Sequence, residues 1–375
     1  MSASTITILF LIFAIISAKV QFYVFALLFL CVLFIPLTSV RIKSKEKIAC
    51  EYLKNVAKDT WRYYDAQFEK NEYLVCDNFS EENGGRHAKR TSPTNIGFSL
   101  CACVCALNCG FIDKNKFDRI TYRILEKLST LKKWNGHLYN WYDTDSGNVL
   151  YPSYVSTVDS GNFFMSLCYA MPFFNGVCAE IAKNMIENAD FLPLFDLKKK
   201  LLFIGYNGFE NKIDNGHYDL AASESLVTYL FCVGYEKIPG TCFEYLKRKC
   251  SRKYRCQYSW TGGCFEYLMP WLFTDFAKGS DTYLSARSVA KLQKRYRKNG
   301  VWGTSESQFR QFDDSGNRMY KAFGIDKIAL SRWASGGVIA PYASFLCLQF
   351  DVKSVVENAA GLGRIGAFGV NGFYE

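Results

Sequence analysis

Two acidic residues near the middle of the chain have the surroundings that a proton-donating carboxyl group needs. Asp219 and Glu224 lie in the stretch 218–231, whose apolar residues recur at helical spacing. We expect a helix with both acids near its start, where Asp219 is also a plausible helix cap. Glu224 lies one turn further along, among alanine and serine residues. A carboxyl group partly buried beside aromatic rings has a raised pKa and can act as a general acid, so Glu224 is the first candidate.

Loops that combine acids, amides and aromatic rings occupy four segments: 136–144, 154–162, 259–267 and 302–307. Such loops suit sugars, whose rings stack on aromatic faces while acids and amides bind the hydroxyls. Breaking or transferring a glycosidic bond uses two carboxyl groups that flank it, and Glu306 is the candidate partner for Glu224. Glu266 is equally well explained as a buried structural acid. Asp143 and Asp159 suit sugar binding, with turns or helix caps as the alternative.

Composition argues against several other classes of protein. The 15 cysteines contain no C-x-x-C pair and there are three histidines, so we expect no metal and no redox cofactor. The net charge of +10 collects in short runs without a nucleic-acid module, which indicates a membrane surface or solvent rather than nucleic acid. Segment 361–366 has the spacing of a dinucleotide fingerprint, but it follows a predicted helix and not a strand, so we expect no bound nucleotide.

The N-terminal segment has the composition of a membrane anchor. Residues 6–40 are almost wholly apolar, broken by Lys19 and Gln21, and can form one membrane span or a hairpin of two. A cleaved signal peptide is a third interpretation, but the start lacks basic residues and the apolar run is too long. Because the segment 41–47 is dense in lysine and arginine, it is expected to stay in the cytoplasm. We therefore predict an anchor over 1–44 and a cytoplasm-facing domain over 45–375.

The rest of the chain is predicted to be helical. Helical patterns cover 45–68, 96–109, 117–131, 163–171, 176–187, 241–248, 264–276, 283–298, 342–348 and 352–362, in addition to the stretch that carries Glu224. Strand signals are short and scattered. Consecutive helices joined by short loops and by long polar loops indicate an all-α toroid of helical hairpins. No linker rich in proline, glycine or serine divides the predicted domain.

Several ordered motifs resemble one known domain family. They are 90–97, 136–144, 154–162, 218–224, 265–270, 302–307, 340–344 and 372–375. Together they are similar to the central glycoamylase-like domain of cyclic β-1,2-glucan synthases. The motifs follow the same order as in that family and extend over nearly all of the predicted domain. The resemblance implies an (α/α)6 barrel at the bacterial inner membrane that transglycosylates β-1,2-glucan, closing a linear chain into a ring with retention. By motif, Glu224 would be the general acid/base and Glu306 the nucleophile.

The same motifs and loops supply the expected sugar-binding residues: Asn140, Trp141, Asp143, Asp159, Asn162, Tyr218, Asp219, Trp260, Glu266, Trp302 and Tyr342. The family's glycosyltransferase and phosphorylase-like domains are not in this sequence, and its domain continues past the position that matches residue 375. We therefore expect a barrel without its last helical segment, with the missing synthase domains as partners on separate chains. The alternatives are an inactive fragment and a glycan-binding or assembly subunit of a synthase system.

Overall fold

The computed structural model describes residues 47–70, 72–81, 86–312, 318–331 and 338–374. The chain divides into two compact units, Met1–Lys54 and Asn55–Glu375, and almost all described residues belong to the second. Within these described ranges, none of the helices is both long and apolar enough to cross a membrane. The apolar segment 6–40, on which the predicted anchor depends, lies outside them, so the anchor stays a prediction.

Helices form the main elements, as the apolar periodicity predicts. They are α1 (47–69), α2 (Pro93–Asn108), α3 (Lys114–Thr130), α4 (Thr157–Ala170), α5 (Gly176–Glu187), α6 (Ser225–Gly234), α7 (Cys264–Leu268), α8 (Asp281–Gln293), α9 (Pro341–Phe345) and α10 (Val352–Arg364). In two of the predicted helices a 3-10 helix forms in place of α-helical turns. The pattern over 241–248 forms a 3-10 helix, Gly240–Tyr245, and the pattern over 264–276 changes to a 3-10 helix at Met269–Leu272. Pro270 explains the second change, because it has no N–H to continue the α-helical ladder.

Short antiparallel strands connect the helices. They are β1 (Phe79–Ser80), β2 (Arg86–His87), β3 (Arg90–Thr91), β4 (Lys133–Trp134), β5 (His137–Leu138), β6 (Tyr142–Asp143), β7 (Tyr154–Ser156), β8 (Phe195–Asp196), β9 (Leu201–Phe203), β10 (Gly205–Asn207), β11 (Lys212–Ile213), β12 (His217–Tyr218), β13 (Cys250–Ser251), β14 (Cys256–Gln257), β15 (Ser307–Phe312), β16 (Arg318–Lys321), β17 (Phe368–Gly369) and β18 (Gly372–Phe373). Two sheets have three strands, in the orders β11-β10-β7 and β12-β9-β8, and the others are pairs. These strands are too short to give a clear alternating pattern in the sequence.

Alternate helices form an inner row and the helices between them an outer row. Helices α2, α4 and α6 pack side by side, whereas α3 packs against α2 and α5. Gly161 on α4 makes the contact with α6 possible, because a Cβ at this position would lie 1.9 Å from the Thr228 hydroxyl oxygen. Gly97 on α2 is similarly close to α4, with a Cβ position 3.0 Å from Cα of Phe163. The arrangement agrees with the predicted toroid of helical hairpins.

Two apolar clusters form the core, and the candidate acid lies where they meet. The first cluster draws on residues 61–246 and the second on residues 222–355. Ala221 belongs to the first and its neighbour Ala222 to the second. The backbone that leads to Glu224 is therefore fixed from both sides by buried side chains.

Candidate active site

Glu224 lies immediately before helix α6 and not one turn inside a helix. Tyr218 pairs with Leu202 in the β12–β9 ladder, and α6 begins only at Ser225. Glu224 is at the N-cap position of α6 but makes no capping hydrogen bond with its side chain. Its carboxylate oxygen Oε2 accepts instead from the Ser223 hydroxyl at 3.3 Å. The helix-cap alternative for Asp219 is wrong, because the main chain around Asp219 pairs with Lys247 and the helix begins five residues later than a cap at Asp219 would place it.

Burial and neighbouring charges keep Glu224 protonated near neutral pH. Desolvation is the largest cause and raises the pKa of Glu224 to about 8, with additional contributions from the charges of Glu266 and Glu306. A carboxyl group in this state can donate a proton at neutral pH. The electrostatic effect of Glu306 also means that the two predicted catalytic acids lie in one site and not at opposite ends of the fold.

Glu306 is held through both its side chain and its main chain. It directly precedes strand β15, and its Oε2 accepts a hydrogen bond from the Tyr320 hydroxyl on β16. Its main-chain carbonyl accepts from the Tyr342 hydroxyl at 2.8 Å. Tyr342 itself packs edge-on against Phe265, with ring centroids 6.2 Å apart. The structure therefore brings the predicted residues Glu306 and Tyr342 together.

Tyr218 connects the acids of the site. Burial is the first cause that raises the pKa of Tyr218, followed by the charges of Glu224 and Asp159, and Glu306 contributes as well. Its phenol hydroxyl therefore remains a hydrogen-bond donor across the ordinary pH range. Acidic side chains and tyrosine hydroxyls in one region can bind the hydroxyl groups of a sugar.

Glu266 combines a structural role with an electrostatic one. Its carboxylate accepts from the Ser259 hydroxyl at 2.7 Å, the Trp260 N–H at 3.0 Å and the Gly263 N–H at 3.0 Å, and also from the hydroxyl and N–H of Thr261. The loop ahead of α7 is thus wrapped around one carboxylate, as the structural interpretation predicts. The same negative charge helps to raise the pKa of Glu224.

Asp159 and Asn162, both predicted sugar ligands, are linked by one hydroxyl. Thr94 donates to Asp159 Oδ1 at 2.6 Å and accepts from Asn162 Nδ2 at 3.2 Å. Asp159 lies within electrostatic range of Tyr218, because its charge adds to the effect of burial and of Glu224 in raising the pKa of Tyr218. Asn162 is only 3% exposed, so it supports the site from behind.

The loop residues Asn140, Trp141 and Trp260 lie at positions with different exposure. The guanidinium carbon of Arg90 lies 4.2 Å from the centroid of the half-buried Trp141 ring, a cation–π contact. Asn140 donates its N–H to the Tyr154 carbonyl at 2.6 Å. Trp260 is 60% exposed and offers an open ring face.

Three other predicted ligands have partners or surroundings of their own. Asp219 forms an ion pair with Lys247 at 2.5 Å and lines a separate cavity of about 420 Å³. Asp143 caps a turn through the N–H and hydroxyl of Ser146, and these hydrogen bonds lower the pKa of Asp143. Trp302 is 2% exposed, within the second core cluster, and therefore offers no ring face to a sugar.

Sequence reasoning missed Tyr320, Tyr154 and Asp214. The Tyr154 hydroxyl donates to Asp214, and burial, this hydrogen bond and the charges of Asp214 and Asp159 raise the pKa of Tyr154. Tyr154 opens one of the polar loops and could have been chosen for that reason, whereas Asp214 and Tyr320 have no local pattern. Within the described ranges, no group of three or more histidine, cysteine or acidic side chains is arranged to hold a metal ion.

Comparison with known proteins supports the predicted resemblance. Residues 216–375 match the family model Glycoamylase, described as "Putative glucoamylase". Cyclic beta-(1,2)-glucan synthase NdvB of Rhizobium meliloti is 26% identical over 468 residues, a match that covers 87% of this chain and 16% of that protein. This chain thus spans a small part of the curated relative it matches. The resemblance to the glycoamylase-like domain of cyclic β-1,2-glucan synthases is confirmed.

Solved structures of low sequence identity share the fold. A "putative glucoamylase" from Bacteroides fragilis has a TM-score of 0.72 at 15% identity and covers 87% of this chain and 85% of that one. The endo-beta-1,2-glucanase of Chitinophaga pinensis, in complex with sophorotriose and glucose, has a TM-score of 0.69 at 15% identity, with coverage of 87% and 86%. These matches confirm an (α/α)6 barrel-type fold. The predicted absence of a last segment stays a prediction.

Proposed function

We propose that this chain acts on β-1,2-glucan by a two-carboxylate mechanism, with Glu224 as general acid and Glu306 as the second carboxylate. The observation that carries the proposal is the environment of Glu224, where burial and the charges of Glu266 and Glu306 raise its pKa to about 8. The relationship to NdvB and the fold shared with an endo-beta-1,2-glucanase support the choice of glucan.

The different surroundings of the two acids suggest their roles. Glu224 holds a proton near neutral pH and can pass it to the glycosidic oxygen as the bond to the leaving sugar breaks. Glu306 accepts a hydrogen bond from Tyr320, which stabilises the ionised form that a nucleophile needs. In the proposed retaining sequence Glu306 attacks the anomeric carbon and forms a glycosyl-enzyme. Glu224 then takes the proton of the acceptor that displaces Glu306.

The identity of the acceptor decides between the possible outcomes. Attack by the far end of the same glucan closes a ring, attack by a second glucan lengthens it, and attack by water hydrolyses it. Among the predicted sugar ligands, Tyr342 bonds the main chain of Glu306, and Tyr218 interacts electrostatically with Glu224, Glu306 and Asp159. We propose that Tyr218, Asp159 and Tyr342 bind the sugars on either side of the bond that breaks.

We also propose that residues 1–44 anchor the chain in the bacterial inner membrane with the domain on the cytoplasmic side. The apolar run 6–40 and the basic flank 41–47 support this proposal. Further synthase domains are the proposed partners, since the relative that this chain matches, NdvB, is a cyclic beta-(1,2)-glucan synthase.

The proposal is tested by incubating the purified full-length chain with linear β-1,2-glucan and analysing the products by mass. We expect shifted chain lengths, rings that are one water lighter than linear chains of the same number of glucose units, or shortened chains. A β-1,3-glucan of matched length is the substrate control and should remain unchanged. Binding of β-1,2-glucan without any product would favour the alternative of a glycan-binding or assembly subunit.

A further inference from the structure

The β15–β16 hairpin carries a tyrosine that contacts the second acid. Tyr320 on β16 is the register partner of Gln308 on β15, two residues after Glu306. Its hydroxyl donates a hydrogen bond to Glu306 Oε2. A hydrogen bond from a phenol to a carboxylate is charge-assisted and therefore stronger than one between neutral groups.

Two further contacts fix the hairpin against the segment 77–80, which includes strand β1. Gln308 Nε2 donates to Asp77 Oδ2 at 3.3 Å, and Arg318 donates to the Ser80 hydroxyl at 2.9 Å. Gln308 belongs to β15 and Arg318 to β16, so both strands of the hairpin contact the segment 77–80. The position of the Tyr320 ring is therefore set by the fold and not only by its bond to Glu306.

The surroundings of Tyr320 keep its hydroxyl in the donor form. Desolvation and the charge of Glu306 raise the pKa of Tyr320 well above its usual range, and Glu224 contributes in the same direction. The residue is nevertheless 57% exposed. Tyr320 thus donates to Glu306 at every pH at which the protein would work, while the residue stays in contact with solvent.

We propose that Tyr320 is the positioning residue that holds Glu306 ionised and correctly oriented for attack, a role that rests on the proposed function. Tyr342 acts on the same residue at a different point, because its hydroxyl bonds the main-chain carbonyl of Glu306. Tyr342 thus fixes the backbone, and Tyr320 sets the charge state and direction of the carboxylate. This division explains how one acid of the pair stays ionised while Glu224 keeps its proton.

The first test is the pH dependence of kcat/KM for the Tyr320→Phe variant, which keeps the ring and removes the hydroxyl. Because a donated hydrogen bond stabilises the ionised carboxylate, we expect the acid limb to move up by about one pH unit. We also expect kcat to fall about tenfold or more, with a smaller change in KM. The matched control is Tyr374→Phe, which removes the same type of bond from a tyrosine to Glu81 and should leave the profile unchanged.

A second readout does not depend on activity. In full-length protein labelled with ¹³C at glutamate carboxyls, the Glu306 signal is assigned by its loss in Glu306→Gln and followed against pH. We expect it to titrate about one unit higher in Tyr320→Phe than in the parent protein and Tyr374→Phe. An unchanged Glu306 titration overturns the positioning role, even if the protein is active. A shifted titration in a protein that does not act on glucan supports the role and rejects the proposed function instead.

Discussion

Replacing Glu224 with Gln is expected to lower the rate of reaction on linear β-1,2-glucan by about 10³-fold or more, since general acid catalysis contributes about 10²–10⁴-fold. The substitution keeps the size and hydrogen-bonding capacity of the side chain but removes the proton that the leaving oxygen needs. The matched control is Glu126→Gln on α3, where the carboxylate pairs with Arg123 at 2.8 Å on the outer surface. This control should retain the parent rate.

A second substrate separates the loss of the acid from damage to the fold. An aryl glycoside of a β-1,2-linked glucose disaccharide has a leaving group that departs without protonation. We expect Glu224→Gln to lose much less activity on this substrate than on glucan. Equal losses on both substrates would contradict the acid role of Glu224.

The largest effect on stability is expected from Gly161→Ala in helix α4. The added Cβ would lie 1.9 Å from the Thr228 hydroxyl oxygen and 2.7 Å from the Thr228 backbone, so α6 must move. Overpacking of this kind costs about 1–3 kcal/mol, whereas the helical preference of alanine returns up to about 1 kcal/mol. We expect a net loss of about 1–2 kcal/mol in the free energy of unfolding, measured by urea denaturation.

Gly176→Ala in helix α5 is the control for the change at Gly161. A Cβ at this position meets no atom within 4 Å, so the same substitution should leave stability unchanged or slightly raised. Because α6 begins directly after Glu224, Gly161→Ala should also reduce activity per folded molecule. Equal stability of the two variants would show that α4 and α6 do not pack as closely as described.

Much of the helical fold follows from local sequence. The predicted helices over 96–109, 117–131 and 176–187 match α2, α3 and α5 closely, because each has an apolar stripe and a capping residue before it. The predicted start of the central helix is wrong, because His217 and Tyr218 pair with β9. No local pattern reveals that pairing, because its partner strand is short and lies earlier in the chain.

The candidate site shows a similar division. Glu224 was predicted from its local surroundings and Glu306 from its loop, and the structure places both in one site. The sequence leaves the role of Glu266 open between sugar binding and structure, because that role depends on a loop that folds around its carboxylate. No local sequence pattern indicates Tyr320, because its hydrogen bond to Glu306 depends on the pairing of β15 with β16. Trp302 was a wrong choice for a sugar platform, because core packing covers its ring.

The acid role depends on one claim, that Glu224 carries a proton near neutral pH while it faces Glu306. The most direct test is the ¹³C carboxyl titration of Glu224 in the full-length protein, assigned by the loss of its signal in Glu224→Gln. We expect a midpoint at about 8, and a lower midpoint in Glu306→Gln because one repelling charge is gone. A midpoint near the ordinary glutamate value of about 4.3, unchanged by Glu306→Gln, would contradict the account.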